Sequence, residues 1–104
     1  MKEALVPMCA ALGDENRWNI LTSLGEAPAS ASTLAATLPI SRQAIAKHLK
    51  ILQGVGLVEQ VPVGREVRYR VLGAELSATA RRLDAIGTAW ERRLGDIKAI
   101  AEDL

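Results

Sequence analysis

Ser41-Arg42-Gln43-Ala44-Ile45-Ala46-Lys47-His48-Leu49-Lys50-Ile51-Leu52 reads as a single amphipathic helix. At about 100° per residue, Ile45, Leu49 and Leu52 fall within roughly 60° of arc. Gln43, Ala46, Lys47 and Lys50 lie on the opposite side. Ser41 is a good N-cap, and Gly54-Val55-Gly56 stops the helix, which predicts a span of 42–53. One face is therefore tied to a core, while the other offers an amide and two ammonium groups. That division suits a helix whose first residues reach base edges while its cations hold phosphates. Any surface helix can show two such faces, so the flanking segments decide the reading.

Upstream, Ala27-Pro28-Ala29-Ser30-Ala31-Ser32 reads as a loop. It leads into a short helix capped by Ser30 or Ser32, with Leu34 and Leu38 inward and Pro39 closing it. Before the loop, Asp14 is placed to cap a helix running to about Leu24. Trp18, Leu21 and Leu24 recur there at helical spacing and are expected in the core, and Gly25 and Pro28 end the segment. The first helix is expected over Glu3–Leu12, with Leu5, Met8, Cys9 and Leu12 as its apolar stripe and Gly13 as its stop.

Downstream the period changes from 3.6 to 2. Residues 57–63 and 66–71 read as two strands around a Gly64-Arg65 turn. Val67, Tyr69 and Val71 share one face and Arg68 and Arg70 the other. Pro62 is compatible only with an edge strand. A final helix is expected over roughly 74–104, which at the α-helical rise is about 45 Å long. Leu76, Ala80, Leu83, Gly87, Trp90, Leu94, Ile97, Ala101 and Leu104 recur at alternating steps of four and three, the a/d spacing of a helix that seeks another helix. The alternative is a seam that packs on its own domain.

A chain of 104 residues with 49% hydrophobic and 24% charged side chains fits one compact domain and excludes wholesale disorder. No run approaches the ~20 apolar residues of a membrane span, and the first residues lack the apolar core of a signal peptide. The single cysteine, Cys9, implies no internal disulfide. These features predict a cytoplasmic protein with no membrane partner. The formal net charge of +1 conceals an uneven distribution. Residues 41–72 carry six basic side chains against Glu59 and Glu66, a balance of +4, whereas both flanks are slightly acidic. A basic centre between acidic flanks points to a polyanionic partner.

Three helices, the amphipathic fourth and an Arg-rich hairpin make the plan of a winged helix-turn-helix: mainly α with a small β-hairpin, in the order α-α-α-α-β-β-α. Three segments resemble ArsR/SmtB-type bacterial repressors. Residues 10–21, Ala-Ala-Leu-Gly-Asp-Glu-Asn-Arg-Trp-Asn-Ile-Leu, are similar to that family's opening helices. Residues 41–52 are similar to its recognition helix, and Gly56-Leu57-Val58 with Gly64–Val71 to its wing. The resemblance covers about residues 8–73, and Trp90-Glu91-Arg92-Arg93-Leu94 resembles a subgroup with no metal site. It implies a homodimer that binds a double-stranded DNA operator and represses transcription until a signal releases it. The family's arsenic and lead sensors carry Cys-x-Cys where this chain has Ser30-Ala31-Ser32, and hydroxyls are poor ligands for soft metals. Its zinc sensors use histidines and acids on the last helix, which here has no histidine.

The residues expected at DNA are Ser41, Arg42, Gln43, Lys47, His48, Lys50, Arg65, Arg68 and Arg70. Gln43 is the base reader, Arg42 reaches a guanine or a phosphate, and Arg65 at the hairpin tip faces the minor groove. Either Arg68 or Arg70 has a carboxylate available in Glu59 or Glu66. His48 flanks the apolar face and reads equally as a DNA contact or as a packing histidine. The dimer interface is expected to hold Leu5, Met8, Leu12, Leu83, Gly87, Trp90, Leu94 and Ile97. No metal site, cofactor or catalytic constellation is expected, and the inducer is unspecified. Cys9 reads as a buried inert thiol, with a redox or intersubunit role as the alternative. The other functions weighed are a repressor sensing a small molecule or oxidant through Cys9 and a winged-helix module for protein interaction.

Overall fold

A computed structural model describes the backbone of residues 2–102 and the side chains of residues 5–102, so Leu104, the last seam position, lies outside the described residues. The elements run α1 (Lys2–Leu12), α2 (Glu15–Glu26), β1 (Ala29–Ser30), α3 (Ala31–Thr37), α4 (Arg42–Gly54), β2 (Val58–Val63), β3 (Glu66–Val71) and α5 (Gly73–Glu102). The helix starts follow from side-chain acceptors that satisfy otherwise orphaned amides. Asp14 accepts the Arg17 N–H at 3.1 Å, Ser30 that of Thr33 at 3.1 Å, and Ser41 that of Ala44 at 3.1 Å. Gly56 (φ 81°) and Gly64 (φ 63°) occupy the left-handed region, where a side chain would be strained, and so turn the chain into β2 and round the hairpin tip.

The core lies where α2, α3, α4 and the start of β2 converge. Ile20, Ile45, Leu49, Leu52 and Leu57 are fully enclosed, and Leu34 and Val58 nearly so. The buried set on α4 is the one that its wheel predicts. On α2 the expectation fails at one residue: Trp18 is 57% exposed. Ile20, Leu21 and Leu24 centre the inward face, and at about 100° per residue Trp18 lies roughly 110° away from that centre. The spacing of 18, 21 and 24 is helical, but only its later members point inward.

The segment read as a loop contains a strand. Ala29 pairs with Tyr69 and Ser30 with Arg68, antiparallel, so the sheet has three strands in the order β1-β3-β2. The chain order is therefore α-α-β-α-α-β-β-α. β3 has a second edge to offer, and the short extended stretch before α3 fills it. Two residues are too few to show a period. Pro62 sits on β2, an edge strand, as its missing N–H requires.

α1 lies on α2 through Met8 and Ala11, which are 5% and 3% exposed, and Thr79 of α5 donates its hydroxyl to Met8 Sδ from the other side. Met8 is thus consumed by the chain's own core and has no area left for a dimer interface, contrary to expectation. Leu5, Cys9 and Leu12 are half-buried. The seam of α5 also departs from its alternative reading: after Leu76 it does not pack on its own domain. Leu83, Trp90, Leu94 and Ile97 are 46–56% exposed, and Ile86 and Ile100 widen the same apolar face. The radius of gyration is 18.5 Å and the longest extent 69 Å. A compact chain of this length would have a radius near 13 Å. The excess is the outer half of α5.

Candidate nucleic-acid interface

With Ile45, Leu49 and Leu52 fixed in the core, the outer side of α4 presents Arg42, Gln43, Ala46, Lys47 and Lys50 to solvent. A cleft separates the N-terminal half of this helix from the hairpin. Ser32, Arg42, Gln43, Ala46, Arg65 and Tyr69 are among the residues that line it. Arg42 stands at its edge with Nε donating to Ser32 Oγ at 3.0 Å, a contact that joins α4 to the first turn of α3. The Ser41 hydroxyl oxygen is engaged as the α4 cap, so its first duty is to the helix.

The hairpin arginines are less available than their number suggests. Glu59 stands opposite Arg70 in the strand register, and Arg70 Nε donates to Glu59 Oε1 at 2.5 Å. Arg68 stands opposite Val61, which offers no charge, and turns along its own strand to donate to Glu66 Oε1 at 2.6 Å. Both arginines are paired, where the sequence suggested one. Each ion pair is solvent-exposed and contributes at most about 1 kcal/mol, so a phosphate can compete for either guanidinium. Arg42, Lys47, Lys50 and Arg65 have no carboxylate partner among the described residues. The two pairings cancel both local acids, and these four cations carry the whole local excess.

A helix-turn-helix with a basic outer helix and a basic hairpin has close counterparts. Residues 12–61 match a family model described as a helix-turn-helix domain. The structure superposes on an ArsR-like transcriptional regulator from Rhodococcus sp. RHA1 with a TM-score of 0.87 and 63% identity, covering 96% of this chain and 94% of that one. The HTH-type transcriptional regulator Rv2034 of Mycobacterium tuberculosis is 36% identical over 84 residues, which are 81% of this chain and 76% of that protein. The chain belongs to the ArsR family. It is a DNA-binding transcriptional regulator of the winged helix-turn-helix class. A solution structure of the cadmium metal-sensor CMTR of Mycobacterium tuberculosis is also similar, at 37% identity and a TM-score of 0.59 over 64% of this chain and 69% of that one. In this ArsR-family chain, no group of three or more His, Cys, Asp and Glu side chains is gathered among the described residues. No helix among them is long and apolar enough to cross a membrane.

His48 is half-buried on the inner flank of α4, and its Nδ1 lies 3.5 Å from Arg17 Nη1. Of its two readings, this contact belongs to packing. Arg17 itself was not singled out by the sequence. It keeps only 16% of its side-chain exposure, donates to the Ala11 carbonyl oxygen at 2.7 Å, and has Nη1 3.9 Å from the Asp14 carboxylate. The backbone N–H of Arg17 holds the Asp14 carboxyl below its usual range, helped by the guanidinium charge. The signal for Arg17 was on the wheel, because its angle falls in the middle of the Ile20, Leu21 and Leu24 stripe. Ser32 was missed for a different reason: no sequence pattern announces that it holds Arg42.

Proposed function

We propose that this chain is a homodimeric repressor that binds a palindromic operator in double-stranded DNA in the cytoplasm. The observation that carries the dimer is the apolar face of α5, where Leu83, Ile86, Trp90, Leu94, Ile97 and Ile100 stand exposed in an unbroken row. Isolated exposed apolar residues are ordinary, but a continuous helical face of this length marks a partner. Gly87 adds support. A Cβ placed there would meet nothing within 4 Å, so its small size serves no contact inside the chain. On the seam it lets a second backbone come close. Leu5 and Leu12 join this interface from α1.

Pairing matters for function because one chain offers one recognition helix. Two-fold related helices read two half-sites about one helical turn apart, which makes the operator palindromic. Within each half-site Gln43 reads base edges, Lys47 and Lys50 follow the groove wall, and Arg65 approaches the neighbouring minor groove. Repression follows from occupancy of a promoter, with no cofactor or enzymatic step required.

The test combines sedimentation with selection of fragments from the source genome. The expected result is a dimer at micromolar concentration that enriches fragments with inverted repeats and loses affinity steeply as salt rises. A monomer that still binds tightly overturns the dimer. Binding that ignores salt favours a protein-interaction module instead.

A further inference from the structure

The cleft between α4 and the hairpin holds more than a base-reading face. Arg42 reaches it from the first turn of α4 and Arg65 from the hairpin tip. Neither has a carboxylate partner among the described residues, and Glu66, the acid on the cleft wall, is taken up by Arg68 at 2.6 Å. Arg42 is also held. Its Nε donates to Ser32 Oγ at 3.0 Å, which anchors one edge of the guanidinium, and its two terminal nitrogens have no hydrogen bond among the described residues. An arginine side chain carries about 2 kcal/mol of rotamer entropy, and a tether in the free protein removes part of that loss on binding.

We infer that this cleft seats one phosphodiester of duplex DNA between Arg42 and Arg65, and that Ser32 is the positioning residue that sets Arg42 for it. The inference rests on the regulator reading above, assigns Arg42 to a phosphate where the sequence left guanine open, and places Arg65 on the backbone that borders the minor groove it approaches. A guanidinium bound through Nε presents its paired terminal N–H groups outward, the geometry that matches two oxygens of a phosphate. Ser32 changes no charge and reads no base. Its effect is therefore equal on every duplex sequence.

The experiment measures binding of the full chain to a genome-selected operator and to a random duplex across a salt series. The variants are Ser32→Ala, Ser32→Thr, Arg42→Ala, Arg65→Ala and the double variant Ser32→Ala/Arg42→Ala. Ser30 remains the α3 cap, so Ser32→Ala keeps the fold, and a thermal melt verifies it. Ser32→Ala is expected to weaken both duplexes by about three- to tenfold, the range of one net hydrogen bond, with the salt slope unchanged. Ser32→Thr restores affinity to within about twofold, because the hydroxyl is kept. Arg42→Ala and Arg65→Ala each lower the slope by about one unit. The double variant binds no worse than Arg42→Ala alone. A duplex with one neutral methylphosphonate, stepped along the backbone, loses affinity for the wild type at one position where Arg42→Ala and Arg65→Ala each lose less than the wild type does. Indifference of Ser32→Ala on both duplexes, or an additive loss in the double variant, overturns the seat while leaving the regulator intact. A wild-type chain that binds neither duplex overturns both.

Discussion

Arg17 closes the C-terminal end of a helix it does not belong to: its Nε donates to the Ala11 carbonyl oxygen at 2.7 Å, across the turn between α1 and α2. The last carbonyls of a helix have no partner within it, and a cation there also meets the negative end of the helix dipole. Arg17 Nη2 adds a longer donation to the Ala10 carbonyl oxygen at 3.4 Å. Replacing Arg17 by Met keeps the aliphatic stem and removes every one of these donors. The expected loss is about 1–3 kcal/mol in chemical denaturation, with faster amide exchange concentrated in α1. Equal exchange in α1 for variant and wild type would refute the assignment.

The same corner makes stability depend on acid. The Asp14 carboxyl is held below its usual range by the Arg17 N–H that it caps, so between the folded and unfolded values the unfolded chain binds the extra proton. Stability is therefore full above the ordinary carboxylate range and falls as pH drops through the depressed folded value. Asp14→Asn keeps a capping oxygen but cannot titrate. Its denaturation midpoint is expected to vary less below pH ~4 than that of the wild type.

On the outer half of α5, Leu94 is 46% exposed and Trp90 53%. Leu94→Glu buries nothing new inside the chain and leaves its own core untouched. The expected outcome is a monomer in sedimentation, an unchanged far-ultraviolet spectrum per residue, and operator affinity reduced by at least about tenfold as the second half-site is lost. A dimer of normal affinity would remove α5 from the interface.

Gln43 stands exposed in the first turn of α4, next to Arg42. Its side-chain amide can donate and accept toward one adenine at once. Gln43→Ala is expected to cost about 1–3 kcal/mol on the operator and almost nothing on random duplex. Retained operator preference in this variant, measured by competition, would move base reading to another residue.

Metals are expected to leave operator binding unchanged to within about threefold when zinc, cadmium or arsenite is added, because no cluster of three or more His, Cys, Asp and Glu side chains is gathered among the described residues to transmit their binding. Cys9, half-buried on α1, is the one thiol that a second copy could bring into range. A metal response that disappears in Cys9→Ser would locate a site between two copies.

The parts of this fold legible in the sequence are those governed by local rules. Asp14 and Ser41 announce helix starts because a short polar side chain before an apolar period has few other uses, and at α3 the same rule narrows the cap to Ser30 or Ser32, of which the structure uses Ser30. The two faces of α4 and the hairpin around Gly64 are legible because the period is sustained over many residues. What escaped reading depends on distant partners. The Ala29–Ser30 strand exists only because β3 has a free edge. Trp18 shares the spacing of two core leucines but not their direction. The pairing of both Arg68 and Arg70 depends on strand register, which places Glu59 opposite one and Val61 opposite the other. Arg17 carried a visible signal, an inward wheel angle, that a charge makes easy to discount.

Two residues of strand have a mechanical consequence. β1 ends at Ser30 and α3 begins at Ala31 with no residue between, while the Leu72 N–H donates to the Leu57 carbonyl oxygen at 2.8 Å, where the hairpin leaves the body. The hairpin is thus fastened to the helical layer at its root and along its flank. These ties couple the root of the hairpin to the helical layer. On the operator-binding proposal, the helix and the hairpin then meet the duplex as one jaw, and sequences that bend or narrow to the gap between its two teeth are expected to gain an advantage at base pairs no side chain touches.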